Sequence, residues 1–232
     1  EMVKKGIQHC KLGDLFQVVL SREFQQDFQG DEFTLYRCLR SINPSPYLFY
    51  FDYGDFKIFG SSPESHLVVK DHVASINPIA GTVSRGANRM EDQELSLKLK
   101  QDPKEMAEHV MLVDLARNDL SKSADKVNVE TYAEVQYFSH VIHMVSLVAA
   151  EVDEKSDTLD IYAETFPAGT LSGAPKYKAL QLINQYENVS RNFYGGAIGY
   201  LGFDGSLNHA IIIRSVLSKN NTLVYQAGAG VV

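Results

Sequence analysis

The prediction for this chain starts from one stretch, Lys104-Glu105-Met106-Ala107-Glu108-His109-Val110-Met111-Leu112-Val113-Asp114-Leu115-Ala116-Arg117-Asn118-Asp119. It contains neither glycine nor proline. It follows Asp102-Pro103, a favourable N-cap residue with proline at the first helical position. The stretch therefore predicts a helix of about four turns, around which the other elements can be arranged.

Two acidic residues of this helix lie on one face, because Glu105 and Glu108 are three positions apart. Leu112 and Leu115 continue that face, which becomes apolar after the first turns of the helix. A carboxylate pair at the polar end of a buried helix can hold a hard cation such as Mg²⁺. The pair can also be a solvated first turn, where acids favour the helix dipole and Glu105 pairs with His109. Both interpretations stay open from this stretch alone.

Composition limits the class of protein. The chain has 232 residues, of which 44% are hydrophobic, so we expect a substantial core in one large domain or two small ones. The net charge of −7 argues against a nucleic-acid surface and requires any anion site to be built locally. The two cysteines, Cys10 and Cys38, make no disulfide framework. With no signal pattern and no membrane-length apolar run, we expect a cytoplasmic protein without membrane contact.

Helices and strands are predicted in blocks rather than in strict alternation, which favours an α+β fold with mostly antiparallel sheets. The predicted helices span residues 2–11, 31–42, 90–100, 104–119, 156–165 and 176–187, and the predicted strands span 12–28, 47–52, 56–60, 65–70, 72–76, 127–137, 140–152, 194–203, 206–217 and 222–227. Asn77–Thr82 is expected to interrupt the strands. In the first strand, Phe16, Val18 and Leu20 are predicted on one face. Gln17 is predicted on the other face, in a core network or at a pocket.

Several polar residues are candidates for a site. Glu64 ends the turn Ser62-Pro63-Glu64 and is either a solvated turn acid or a functional one. Arg214 interrupts an apolar strand, so we expect it to be buried and either paired or bound to an anion. His140 and His143 should point to opposite faces of a strand, so they should not bind one metal together. The glycine-rich segment 166–176 runs into a helix and offers free backbone amides to an anion.

Taken in chain order, these motifs resemble those of the chorismate-binding enzymes, and within them the large subunits (component I) of anthranilate synthases. The motifs are Gly13-Asp14-Leu15-Phe16-Gln17-Val18-Val19-Leu20-Ser21-Arg22, Ser62-Pro63-Glu64, Pro78-Ile79-Ala80-Gly81-Thr82, Lys104-Glu105 with Glu108-His109, Val113-Asp114-Leu115-Ala116-Arg117-Asn118-Asp119, Gly173-Ala174-Pro175-Lys176, Tyr194-Gly195-Gly196-Ala197 and Gln226-Ala227-Gly228-Ala229-Gly230. The resemblance implies two large, mostly antiparallel sheets packed together, with helices outside and the active site in the cleft between them. It implies that residues 1–232 form a single chorismate-binding catalytic domain.

The resemblance also implies a reaction. Chorismate and ammonia would give anthranilate and pyruvate, a lyase step of tryptophan biosynthesis, with ammonia supplied by a glutamine amidotransferase subunit (component II). The family uses Mg²⁺ to hold the ring carboxylate of chorismate. Without a metal, the repulsion between that carboxylate and Glu105 or Glu108 would be roughly 4 kcal/mol per contact, at about 4 Å and an effective dielectric near 20.

Residue roles follow from the same resemblance. Glu64 is similar to the general acid that protonates the departing ring hydroxyl, Glu105 and Glu108 to metal ligands, and His143 to a substrate-contacting histidine. The implied substrate-binding positions are Gly81, Thr82, Thr170, Tyr194, Arg214, Gly228, Ala229 and Gly230. The implied half of a tryptophan feedback pocket is Pro46, Tyr47, Leu48, Ile198 and Tyr200.

Two positions separate members of the family. Isochorismate and salicylate synthases carry a lysine base where this chain has Gln17, and a neutral amide cannot act as that base. Aminodeoxychorismate synthases often carry a nucleophilic lysine at the position of Ala80, which has no nucleophile. Both substitutions indicate ammonia as the attacking group, and Gln17 joins Glu64 and His143 as a predicted catalytic residue.

Compared with the family, this chain is expected to be truncated at both ends. The missing parts would complete the tryptophan pocket and supply further glutamate metal ligands and a lysine, so the isolated chain should have little or no activity. Two alternatives remain: aminodeoxychorismate synthase component I of the folate pathway, and a non-catalytic β-rich binding module. In the second, Arg214 and the paired glutamates would only form structural networks.

Overall fold

A computed structural model describes residues 1–124 and 126–232. They form two compact units. The first comprises Glu1–Ser65, Pro167–Gly199 and Ala210–Val232, and the second His66–Phe166 and Tyr200–His209. Within these ranges, no helix has both the length and the apolar character that a membrane span requires.

Helices and strands follow one another in blocks along the chain. The helices are α1 Met2–Leu12, α2 Glu32–Ile42, α3 Arg89–Gln101, α4 Pro103–Leu120, α5 Thr158–Thr165, α6 Gly169–Ser172 and α7 Lys176–Tyr186. The strands are β1 Gln17–Asp27, β2 Tyr47–Asp52, β3 Lys57–Ser62, β4 Ser65–Lys70, β5 Val73–Ile76, β6 Ile79–Ser84, β7 Val127–Tyr137, β8 Val141–Glu151, β9 Gly173–Ala174, β10 Ala197–Leu201, β11 Leu207–Ile211, β12 Ser215–Lys219 and β13 Thr222–Val231.

The first unit is built on a six-stranded sheet with the order β2-β3-β12-β13-β1-β9. Strands β1 and β13 pair antiparallel from Val18 opposite Val231 to Asp27 opposite Thr222. This register sets Ser21 opposite Gly228. Helices α1 and α7 cover the sheet through a core of apolar side chains that includes Leu20 and Leu182. Burial of this core fixes β1 and β13, the strands that carry several predicted site residues.

The second unit contains most of a seven-stranded sheet with the order β10-β11-β4-β5-β8-β6, and β7 also pairs with β8. Strand β8 is central, because β5, β6 and β7 all pair with it antiparallel. Helix α4 packs on this sheet through Val113, Ala116 and Leu120, which join Leu67 and Val148 in one buried core. Its polar N-terminal turn therefore has a fixed position relative to β6 and β8.

The structure confirms the predicted α+β class with antiparallel sheets. It also confirms the predicted helix over residues 104–119, which is α4. Asp102 caps α4 by accepting hydrogen bonds from the amides of Lys104 and Glu105, and Pro103 occupies the first turn. The start of α4 is thus set by local sequence, and its position on the sheet by burial.

Three predictions about strands were wrong. Phe16 precedes β1 and is 71% exposed, so it does not share a buried face with Val18 and Leu20. The expected interruption at 77–82 contains β6, whose register shifts between Ala80 and Thr82 where Gly81 adopts a positive φ of 70°. The predicted strand 206–217 is two strands, since the chain bends at residues 212–214 between β11 and β12.

Candidate active site

The first turn of α4 carries the carboxylate pair of the second unit. Glu105 and Glu108 are both partly buried. Burial raises the pKa of the Glu108 carboxyl, and the nearby charge of Glu105 raises it further, while Lys104 opposes the shift. Two carboxylates that repel each other in partly dry surroundings are a favourable site for a divalent cation.

The pair fits Mg²⁺ chemically but does not enclose it. No group of three or more histidine, cysteine, aspartate or glutamate side chains that could hold a metal ion occurs among the described residues. Magnesium is commonly held by one or two carboxylates, with water and substrate oxygens filling the other positions. Glu105 and Glu108 supply that minimal set of hard oxygen ligands.

His143 lies beside this pair in the same unit. It is buried on β8, and its Nδ1 lies 3.0 Å from the Thr82 hydroxyl and 3.2 Å from the Gly81 carbonyl. Gly81 has space for no side chain, because an added Cβ would lie 2.9 Å from Leu99 and 3.3 Å from the Glu105 carboxylate. The structure therefore groups Gly81, Thr82, His143 and Glu105. His140 is exposed, which agrees with the predicted opposite faces.

His109 has a structural role rather than a place in the carboxylate pair. It is fully buried, and its Nε2 lies 2.6 Å from the Ser146 hydroxyl. That hydroxyl accepts a hydrogen bond from the Ala133 amide, so it is free to donate its proton to the imidazole. Burial also lowers the pKa of His109, which favours the neutral ring. The contact anchors α4 to β8. The other ring nitrogen, Nδ1, is buried and has no hydrogen-bond partner among the described residues, so His109 does not pair with Glu105.

Glu64 is the most perturbed acid of the first unit. It follows β3, where Ser62 donates a hydrogen bond of 2.6 Å to the Ile211 carbonyl, and the Ile211 amide in turn donates to the Glu64 carbonyl. Burial of its carboxyl raises the pKa of Glu64 to about 7, although the Thr170 hydroxyl and then the Arg214 charge oppose the shift. Glu64 is partly exposed, but its carboxyl lies in desolvated surroundings, unlike that of a fully solvated turn acid.

Arg214 differs from its prediction. It is exposed rather than buried, and it lies in the bend between β11 and β12 with a positive φ of 50°. Its carbonyl accepts a hydrogen bond from the Ser61 amide, which holds the bend against β3. The guanidinium still acts on Glu64, since its charge lowers the pKa of that carboxyl. An exposed cation beside an acid can bind an anion without a buried charge having to be compensated.

Tyr194 and the end of β13 form the other part of this cluster. An added Cβ at Gly228 would lie 2.7 Å from the Tyr194 hydroxyl, so the glycine permits the close approach. Burial raises the pKa of Tyr194. The Arg191 charge and a hydrogen bond with the Gly228 backbone oppose this rise, whereas the charges of Glu187 and Glu64 add smaller contributions to it. The phenol is therefore held protonated, as a donor. Ala229 and Gly230 follow on the same exposed end of β13.

The side chain of Gln17, in β1, lies near the same end of β13. Its side chain is buried, and its Nε2 lies 2.7 Å from the point that a Cβ at Gly230 would occupy. Its Oε1 is buried and accepts no hydrogen bond from any described residue. A buried acceptor without a donor is unfavourable unless a ligand supplies one.

Thr170, in the short helix α6, is partly buried, and its hydroxyl forms no hydrogen bond of ordinary geometry within the described chain.

The predicted feedback residues lie on two strands. Tyr47 and Leu48 begin β2 opposite Ser62 and Ser61, and Pro46 precedes them. Ile198 and Tyr200 occupy alternate positions of β10, and Tyr200 is 62% exposed. Their function stays a prediction.

One further feature was not predicted from the sequence, the ion pair between Glu187 and Arg191. Its contacts reach backbone and side-chain groups that are far away in the sequence. The ring of Tyr194 lies 5.6 Å from the Arg191 guanidinium. The i,i+4 spacing of the pair was the only local signal, and such spacing is common on solvated helices.

A family profile described as chorismate binding enzyme matches residues 1–232. The chain belongs to the chorismate-binding enzyme family. It is 45% identical over 234 residues to anthranilate synthase component 1 of Aquifex aeolicus, a match that covers 100% of this chain and 47% of the relative. It is 46% identical over 232 residues to the Bacillus subtilis protein of that name, covering 99% of this chain and 45% of the relative.

A solved structure gives the same picture. Anthranilate synthase component I from Streptococcus pneumoniae superimposes with a TM-score of 0.92 at 42% identity, over 100% of this chain and 52% of that one. This member of the chorismate-binding family thus spans about half the length of the relatives that it matches.

Proposed function

We propose that the protein to which this chain corresponds is the large subunit of an anthranilate synthase, which converts chorismate and ammonia into anthranilate, pyruvate and water. The observation that carries this proposal is Glu64, a carboxyl with a pKa of about 7 beside an exposed arginine. At neutral pH a large fraction of such a carboxyl is protonated, which is the state that a general acid requires. The similarity to proteins named anthranilate synthase component 1 supports the choice of reaction.

The residues of the first unit account for leaving-group chemistry and carboxylate binding. Glu64 donates its proton to the ring hydroxyl, which leaves as water while ammonia adds to the ring; loss of pyruvate then gives the aromatic product. Arg214, the Tyr194 hydroxyl and the amides near Gly228 and Gly230 bind the enolpyruvyl carboxylate. The free Oε1 of Gln17 accepts a hydrogen bond from the incoming ammonia, since an amide cannot take its proton.

The residues of the second unit account for the ring carboxylate. Glu105 and Glu108 would hold Mg²⁺, whose charge reverses the repulsion between these glutamates and the substrate. His143 contacts the substrate and is oriented by Gly81 and Thr82. A glutamine amidotransferase subunit would supply ammonia, and tryptophan would bind Pro46, Tyr47, Leu48, Ile198 and Tyr200 as a feedback inhibitor.

Product identification tests the proposal. The full-length protein is incubated with chorismate, ammonium chloride and MgCl₂, and the products are separated by chromatography. Anthranilate together with an equal amount of pyruvate is expected. Aminodeoxychorismate without pyruvate would identify the folate-pathway alternative, and an unchanged substrate would favour a non-catalytic module.

Loss of turnover with unchanged folding in Arg214→Ala would support a site at that residue rather than a structural network.

Substitution of Gly228 should weaken chorismate binding. In Gly228→Ala the new methyl group would meet the Tyr194 hydroxyl and, at 3.0 Å, Val19, so the phenol must move. We expect KM for chorismate to rise roughly tenfold, the loss of about one hydrogen bond to a charged group. Ala227→Ser is the control, because its side chain points to the opposite face of β13. An unchanged KM in Gly228→Ala would remove Tyr194 from the proposed clamp.

A further inference from the structure

We propose that Arg191, held in place by Glu187, positions Tyr194 for binding the substrate carboxylate. This inference rests on the proposed function and adds to it two residues that make no contact with substrate. Both lie in the first unit, between the end of α7 and Tyr194.

The guanidinium of Arg191 is used almost completely by four hydrogen bonds. Its Nε and Nη2 donate to the two carboxylate oxygens of Glu187, at 2.9 and 2.6 Å. Its Nη1 donates to the Leu171 carbonyl and its Nη2 also donates to the Val19 carbonyl, both at 2.6 Å. The plane of the fork fixes the direction of all four bonds, which the single nitrogen of lysine cannot reproduce.

Glu187 is just as fully engaged. Its Oε1 accepts from the amide and the hydroxyl of Ser21, at 2.7 and 2.8 Å, and the Ser21 hydroxyl also accepts from Gln226. The side chain of Glu187 is 3% exposed and that of Arg191 17%. Because both charges are largely removed from water, either one left alone would be unfavourable, so the pair holds a single geometry.

The segments joined in this way are those that carry the predicted clamp. Val19 lies in β1 between Gln17 and Ser21, the residue opposite Gly228. Leu171 follows Thr170 in α6. The Tyr194 amide donates to the Arg191 carbonyl at 2.9 Å, and the Tyr194 ring lies over the guanidinium. One side chain thus sets the position of the phenol relative to β1, β13 and α6.

A double-mutant cycle in the full-length protein tests this role. KM and kcat for chorismate are measured with ammonium as nitrogen donor in wild type, Arg191→Lys, Tyr194→Phe and the double variant. Arg191→Lys is expected to raise KM about tenfold with kcat within about threefold of wild type. In the Tyr194→Phe background the same substitution should change KM less than twofold, because the residue acts through the phenol.

The matched control is Arg85→Lys. Arg85 also binds a carboxylate with two nitrogens, donates to the Phe138 carbonyl and lies 5.6 Å from a tyrosine ring, that of Tyr137. It contacts no residue of the clamp, so KM should stay within twofold of wild type. Glu187→Gln, which keeps the shape of the glutamate side chain, is the second variant and should reproduce the rise in KM if Arg191→Lys does not fold.

The outcomes are separable. A KM equal to wild type in both Arg191→Lys and Glu187→Gln would overturn the inference, as would the same increase in KM with and without the Tyr194 hydroxyl. A fall in kcat alone, in parallel with the folded fraction, would indicate a purely structural pair and would also overturn it. Wild-type protein that makes no anthranilate would refute the proposed function and this inference together, whereas an active wild type leaves only Arg191 in question.

Discussion

In the full-length protein, Glu64→Gln is expected to lower kcat for anthranilate formation about a thousandfold, the size of effect typical of a general acid. Glutamine has the same shape but no acidic proton, so the ring hydroxyl would leave without assistance. KM should change little, because in the proposed site the enolpyruvyl carboxylate is bound by Arg214 and Tyr194 rather than by Glu64.

The same substitution is expected to stabilise the protein above pH 7. Burial raises the pKa of Glu64 from 4.5 to about 7, so the folded state binds this proton more tightly than the unfolded state. The resulting stabilisation is complete below pH 4.5 and is lost as the pH rises through 7. The shift corresponds to at most about 3 kcal/mol, and to less because the residue is partly exposed. Glutamine has no such pH dependence.

Two measurements check this prediction. In wild type, kcat/KM should fall as the pH rises above the Glu64 pKa of about 7, and in Glu64→Gln this fall should be absent. Thermal unfolding at pH 8 should give a higher Tm for Glu64→Gln than for wild type. Glu130→Gln, on the exposed surface of β7, is the control and should match wild type in both. A fully active Glu64→Gln would remove Glu64 from the chemistry.

The second large effect is expected at the carboxylate pair. The double variant Glu105→Gln with Glu108→Gln should lose Mg²⁺-stimulated chorismate binding, because neutral amides are weak ligands for a hard cation. If chorismate places its ring carboxylate beside this pair as proposed, the double variant would also remove a repulsion of roughly 4 kcal/mol per contact at about 4 Å and an effective dielectric near 20. Metal-free affinity for chorismate should therefore rise while the affinity with Mg²⁺ falls, so that the two converge.

Calorimetric titration of chorismate, with and without MgCl₂, measures both affinities. Glu94→Gln is the control, since this exposed carboxylate lies on the neighbouring helix α3. The single variant Glu105→Gln should also bring the pKa of Glu108 down, because the Glu105 charge is one of the two causes of its rise. A double variant that keeps the full Mg²⁺ effect would place the metal elsewhere.

The parts of the fold that were predictable are those with strong local causes. Helix α4 is marked by Asp102, by Pro103 and by an uninterrupted run of helix-forming residues, and it was predicted to within one residue. Gln17 was predicted as a buried amide that needs a hydrogen-bond partner, because its neighbours in the sequence are apolar. Both conclusions need only the sequence within a few positions.

The errors came from long-range structure. A positive φ at Arg214 breaks a run of branched apolar residues that favours a continuous strand, and the bend is held by the distant Ser61. Strand β6 forms because β8 offers it pairing partners about sixty residues away, despite Pro78 and Gly81. The pair of Glu187 and Arg191 was missed for the same reason, since Ser21 and Val19 lie more than 160 positions from them.

The most direct test of this account is the calorimetric titration of chorismate into the full-length protein and into residues 1–232, each with and without Mg²⁺. We predict binding by the full-length protein that is strengthened by Mg²⁺, and weak or undetectable binding by residues 1–232 alone. Absence of chorismate binding by the full-length protein in the presence of Mg²⁺ would contradict the central proposal, that this protein binds chorismate with the help of Mg²⁺.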